Sequence, residues 1–133
     1  MRSWRSAVLV WVLSLLLGVA CRYFLGASPE QFFEQARQFA ATNRFVEAET
    51  SLRRLLARQP NRTDARLLLG KLAHDRNDWA TVAAAFKGVS DSDQVAGSIR
   101  VAEGDAWLKL NRAVLAEDCW SRAYHLSPED PQP

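Results

Sequence analysis

His74 followed by Asp75 supplies the two groups of a general base and its orienting carboxylate. Adjacent residues of a helix do not face each other, and no nucleophile stands at a fixed spacing from the pair, so it reads as two surface side chains. His125 falls near the end of a helical stretch, where a cation is mildly favoured. The two cysteines, Cys21 and Cys119, lie in unlike contexts, with no CxxC or Cys/His spacing of the kind that holds zinc. We therefore expect no catalytic residue, no metal ligand, no cofactor and no disulfide framework, and the chain reads as a non-enzyme.

Arginines form the other chemically suggestive group. Arg54, Arg58, Arg62 and Arg66, with Arg53 beside them, run along the end of one helix and over the following turn. Such a stripe can meet phosphate, an anionic headgroup or an acidic partner, or it can pair with Glu47, Glu49 and Asp64 as a solvated face. The bases that stack on aromatic side chains in single-stranded nucleic acid would find none interleaved here, and nucleic acid is not expected as a partner. Bulk charge agrees. Removing Arg2, Arg5 and Arg22 from the 17 bases leaves 14 against 15 acids in the rest of the chain. Asn61, Arg62 and Thr63 spell a glycosylation sequon, a pattern short enough to arise by chance.

The elements that must position these residues follow from a recurrence of 34 residues. Ala48, Val82 and Ala116 stand in that register, as do Leu52, Phe86 and Trp120, Leu55, Val89 and Ala123, and Asn43, Asn77 and Asn111. Self-similarity of this length marks helical-hairpin units that bury their apolar faces by stacking on one another. Ser28, Pro29 and Gln31 supply a helix start with a capping box, and from there the apolar period is helical, with no strand alternation. The fold class expected from residue 28 onward is all-α.

The residue choices resemble the tetratricopeptide repeat. Small residues recur at Ala36, Gly70 and Gly104, later positions of the first helix are Phe39, Ala73 and Trp107, second helices open near Phe45, Trp79 and Ala113, and Pro60 and Pro128 close them. The resemblance implies a right-handed superhelical stack, an alpha solenoid, of three helix-turn-helix units over 29–62, 63–96 and 97–130, in a domain spanning 28–133. Gly70 and Gly104 each cost about 1 kcal/mol inside a helix, which points to close backbone packing. Arg66, Arg100, Val82 and Gln94 depart from the family pattern, and the SDSD run from Ser90 to Asp93 predicts either a turn between the second and third units looser than the first or an early start of the third unit's first helix.

By the same resemblance, first helices line a concave groove. The candidate partner-binding residues there are Phe33, Arg37, Leu67, Lys71, His74, Val101, Asp105 and Leu108. Their mixture suits an extended peptide or a partner helix held by apolar contacts with charged rims, and lacks the Lys/Asn pattern of a carboxylate clamp. The expected function is a protein–protein interaction scaffold. The alternative is a regulatory or assembly module, cut from or partnered with an enzyme or secretion machine, that self-associates into a homo-oligomer through an uncapped last repeat.

Residues 1–27 read as a membrane anchor or signal segment. Ala7 to Ala20 is free of charge, Arg2 and Arg5 precede it, and Tyr23 to Leu25 extend the apolar stretch to about 20 residues if Arg22 snorkels. The favoured expectation is a retained signal anchor, a single transmembrane helix with the repeats on the extracytoplasmic side of a bacterial membrane. Lipidation at Cys21 and cleavage after Ala20, giving a lipoprotein or a secreted form, stay open beside it.

Overall fold

The computed structural model describes residues 8, 10–15 and 26–126, and every regular element among them is α-helical. From residue 26 the order is α1 (Pro29–Ala41), α2 (Phe45–Arg58), α3 (Thr63–Asp75), α4 (Trp79–Lys87), α5 (Ala96–Lys109) and α6 (Ala113–Leu126). Each helix packs on the one before it and the one after it.

α1 begins where the capping box predicts. Ser28 Oγ accepts from the Gln31 amide at 3.2 Å, and the Gln31 side chain accepts from the Ser28 amide at 2.8 Å. The three turns that end α1, α3 and α5 share one chemistry. Asn43, Asn77 and Asn111 have φ of 59°, 58° and 58°, the left-handed region that asparagine tolerates better than other side-chain-bearing residues. The next amide in each case donates back to the helix, from Arg44 to the Phe39 carbonyl at 2.8 Å, Asp78 to Ala73 at 2.9 Å and Arg112 to Trp107 at 2.9 Å. This reversal satisfies carbonyls that a bare helix end leaves unpaired. α2, α4 and α6 then start at Phe45, Trp79 and Ala113, at the places the register gives.

Small residues set how closely paired helices approach. Ala36, Ala48 and Ala65 are fully buried beside Leu52 and Leu55 in the same core cluster. A Cβ added to Gly70 would lie 2.2 Å from the ring of Phe86, and one added to Gly104 would lie 2.4 Å from the indole nitrogen of Trp120. Both glycines are thus notches that receive an aromatic ring from the partner helix. In the first pair the corresponding residues are Ala36 and the smaller Leu52.

One expectation needs correction. The single-pass membrane protein with a transmembrane signal anchor does not stand: among the described residues no helix is long and apolar enough to cross a membrane. The physical shortfall is visible in the composition, since the uncharged run from Ala7 to Ala20 is 14 residues before Arg22 interrupts, against about 20 needed to span the hydrocarbon. Residues 8 and 10–15 are helical with exposed side chains, while Cys21, the residue read as a lipidation site, and the cleavage position after Ala20 lie outside the described residues. The turn between the second and third pairs, 88–95, is longer than its counterpart 59–62, as the SDSD run leads one to expect. α4 stops at Lys87 after nine residues, but the segment is tied down: the Thr63 hydroxyl donates to Asp93 at 2.8 Å, and Asp91 accepts from both Arg100 and Arg122.

Gly70→Ala and Gly104→Ala are expected to destabilise the fold by about 1–3 kcal/mol each, although alanine is the better helix former. Urea unfolding followed by circular dichroism measures this, and Gly70→Ala combined with Phe86→Leu should recover part of the loss.

Candidate docking face

The candidate groove residues fall on α1, α3 and α5 in two matched rows. Phe33, Leu67 and Val101 share one register position and are all half-buried; Arg37, Lys71 and Asp105 share the next and are all exposed. On α3 the residues Leu67, Lys71 and His74, and on α5 Val101, Asp105 and Leu108, follow spacings of four and three, so each helix presents them on one face. Leu108 is 49% exposed, an apolar side chain left in solvent on this face.

α1 differs from the other two. The Arg62 guanidinium lies over the Phe33 ring, 5.0 Å from its centroid, and also bonds Glu30 at 3.0 Å and Asp64 at 2.9 Å. Its hydrogen bond to Asp64 holds the Arg62 pKa above its ordinary value. Arg62 thus covers part of the Phe33 ring. Arg37 is 3.5 Å from Glu34, an exposed pair that contributes little by itself.

His74 and Asp75 do not make a catalytic dyad. Nδ1 of His74 is 3.9 Å from the Asp75 carboxylate, beyond hydrogen-bond reach, and the imidazole instead stands edge-on to Trp79 with centroids 5.2 Å apart. The arginine stripe likewise resolves into separate structural contacts. Arg53 bonds Glu49 at 2.6 Å; Arg58 donates to the Ala27 carbonyl and covers the Phe32 ring; Arg66 donates to the carbonyls of Pro60 at 2.7 Å and Ala85 at 3.1 Å. A cleft of about 480 Å³ opens between α2, α3 and α4, with Leu56, Leu69, Thr81 and Ala84 on its walls. Its two cations are Arg53 and Arg66, both engaged as described.

Sequence reasoning missed what Arg66 and Arg100 do. They stand 34 residues apart, at positions where the repeat pattern expects bulky apolar groups, and that shared departure was the available signal. Both serve the C-terminal end of α4. Arg66 takes the Ala85 carbonyl, and Arg100, 1% exposed, takes the Phe86 carbonyl at 2.9 Å and the Val89 carbonyl. Arg100 also pairs with the buried Glu103 at 2.5 Å and with Asp91 at 2.7 Å. Every nitrogen of a buried guanidinium thus has an acceptor, which is the condition for burying its charge. Glu103 in turn accepts from the Trp107 indole at 3.4 Å. Burial, assisted by the Glu103 charge, pushes the Cys119 thiol up to about 11, so Cys119 is a packed core residue and a poor nucleophile at neutral pH.

Hydrogen bonds from Arg122 and then Arg100 hold the Asp91 carboxyl below its ordinary value of 3.8. A carboxyl with a lowered folded pKa contributes stability above its unfolded pKa and loses it as pH falls through the folded one. The gap in melting temperature between the native chain and Asp91→Asn is accordingly expected to be full at pH 7 and to close below pH 3.8. Arg100→Ala leaves the Glu103 charge buried without its partner, and should cost about 3–5 kcal/mol in the same unfolding assay.

Compared with known protein families and with curated proteins, the chain matches none.

Proposed function

We propose that the three helical pairs form a right-handed stack of tetratricopeptide-like units, and that the face of α1, α3 and α5 docks an extended peptide or a helix of another protein. The observation that carries this reading is the pair of matched rows, half-buried Phe33, Leu67 and Val101 beside exposed Arg37, Lys71 and Asp105. An apolar row gives a ligand something to bury, and a charged row beside it fixes direction and register. The sign of charge changes along the row, from arginine and lysine on α1 and α3 to aspartate on α5. A bound segment therefore places its acidic groups toward α1 and α3 and its basic groups toward α5.

The structural partners already described narrow the contact further. The Phe33 ring carries Arg62 on its face, so the apolar contact centres on Leu67, Val101 and Leu108, with Arg37 and Lys71 on the charged rim. No catalytic step belongs to this reading.

A library of random displayed peptides panned against the chain tests the proposal. Selected binders should carry apolar residues flanked by an acid, and Leu67→Asp or Lys71→Glu should each weaken them about tenfold or more. Asp105→Lys should shift selection toward peptides acidic along their whole length. Binding indifferent to both Leu67→Asp and Lys71→Glu would place the docking surface elsewhere.

A further inference from the structure

α3 covers α2 through one stripe of its surface. Ala65, Leu69 and Leu72 are buried at spacings of four and three, and Arg76, four residues on, reaches Glu49 of α2 at 3.0 Å. α5 repeats the stripe against α4 as Ile99, Glu103, Ala106 and Leu110. In that second junction the counterparts of Glu49 and Arg76 are Ala83, fully buried, and Leu110, half-buried, so two apolar residues stand where the first junction has an ion pair. The molecule thus contains the same helix-on-helix interface twice, with an ion pair at the Glu49/Arg76 positions in the first and apolar residues there in the second, whose buried charge is the Arg100–Glu103 pair instead.

α6 carries the third copy of the receiving positions. Trp120 corresponds to Leu52 and Phe86, Tyr124 to Leu56, and Glu117 to Glu49 and Ala83. Where Glu49 is mostly covered by Arg53 and Arg76, Glu117 is exposed, and Tyr124 is 66% exposed where Leu56 packs against the core. Arg122, the base on α6 itself, is committed to Asp91 at 2.6 Å.

We propose that this face of α6 docks a basic amphipathic helix of another protein. Its apolar residues, at spacings of four and three, cover Trp120 and Tyr124, and an arginine or lysine four residues beyond them meets Glu117. The charge follows from Glu117, since the receiving position is acidic here as in the junction that uses Arg76. A second copy of this chain does not supply such a helix through α1, whose corresponding stripe is Gln31, Gln35, Gln38 and Thr42, all polar and exposed. The proposal is independent of the docking face on α1, α3 and α5.

The probe is a side-chain-stapled peptide of residues 63–76, because α3 is the helix that occupies the equivalent charged junction, and stapling offsets the marginal helicity of a short segment. Fluorescence anisotropy against the full chain should register binding by this peptide and none by a stapled peptide of residues 29–42. Arg76→Glu in the peptide, or Glu117→Arg in the protein, should weaken binding about fivefold, and combining the two should restore it. Tyr124→Glu should abolish binding, whereas Leu67→Asp in the protein should leave it unchanged, which separates this face from the other. Absence of binding, or binding insensitive to Glu117→Arg and Tyr124→Glu, overturns the proposal. So does a concentration-dependent dimer that Tyr124→Glu dissolves, since a second copy would then hold the face.

Discussion

A ring seated in a glycine notch is the contact on which the rest of this structure depends. Phe86 against Gly70 and Trp120 against Gly104 bring the two helices of a pair so close that no methyl group fits between them. The turns fit that closeness. Paired helices are joined here by only a few residues, and each short turn holds an asparagine at positive φ, Asn43, Asn77 and Asn111, in the pair with alanine at the contact as in the two with glycine. Once the pair is closed, its outer surfaces are fixed, and with them the rows of side chains on α3 and α5.

Electrostatics plays a supporting part in a particular way. Several of the arginines that appear on paper as a cationic surface are engaged within the fold, some of them at backbone carbonyls. Arg58, Arg66 and Arg100 each donate to main-chain carbonyls, and Arg62 and Arg44 lie over aromatic rings. A guanidinium suits this work because its donors lie in one plane and its charge is weakly hydrated compared with an ammonium.

Much of this was legible in the sequence. The register predicted the starts of α2, α4 and α6, the capping box predicted the start of α1, and the glycines predicted close approach, because each rests on local stereochemistry that a single stretch of chain determines. The roles of Arg66 and Arg100 were not legible, since they depend on where α4 stops, and α4 stops five residues earlier than its register mates. Gly88 and the SDSD run signal a weak helix end there, but the arginines that then capture its free carbonyls come from α3 and α5. The candidate docking residues were chosen on position alone. Position could not reveal that Phe33 is covered by Arg62, because that contact joins residues on either side of α2. The expectation of a membrane-spanning helix rested on hydropathy alone, and among the described residues no helix is long and apolar enough to cross a membrane.

The way α4 is finished bears on how the molecule comes apart. In an ideal linear array each unit holds its own helices, and unfolding can begin at one end and travel. Here the last carbonyls of the middle pair are bonded by Arg66 from the helix before and Arg100 from the helix after. α4 has too few residues to persist alone, so releasing either neighbour exposes its end and removes its closure together. α3, α4 and α5 consequently share one free energy of opening, and their amides exchange with solvent as a single cooperative block rather than pair by pair.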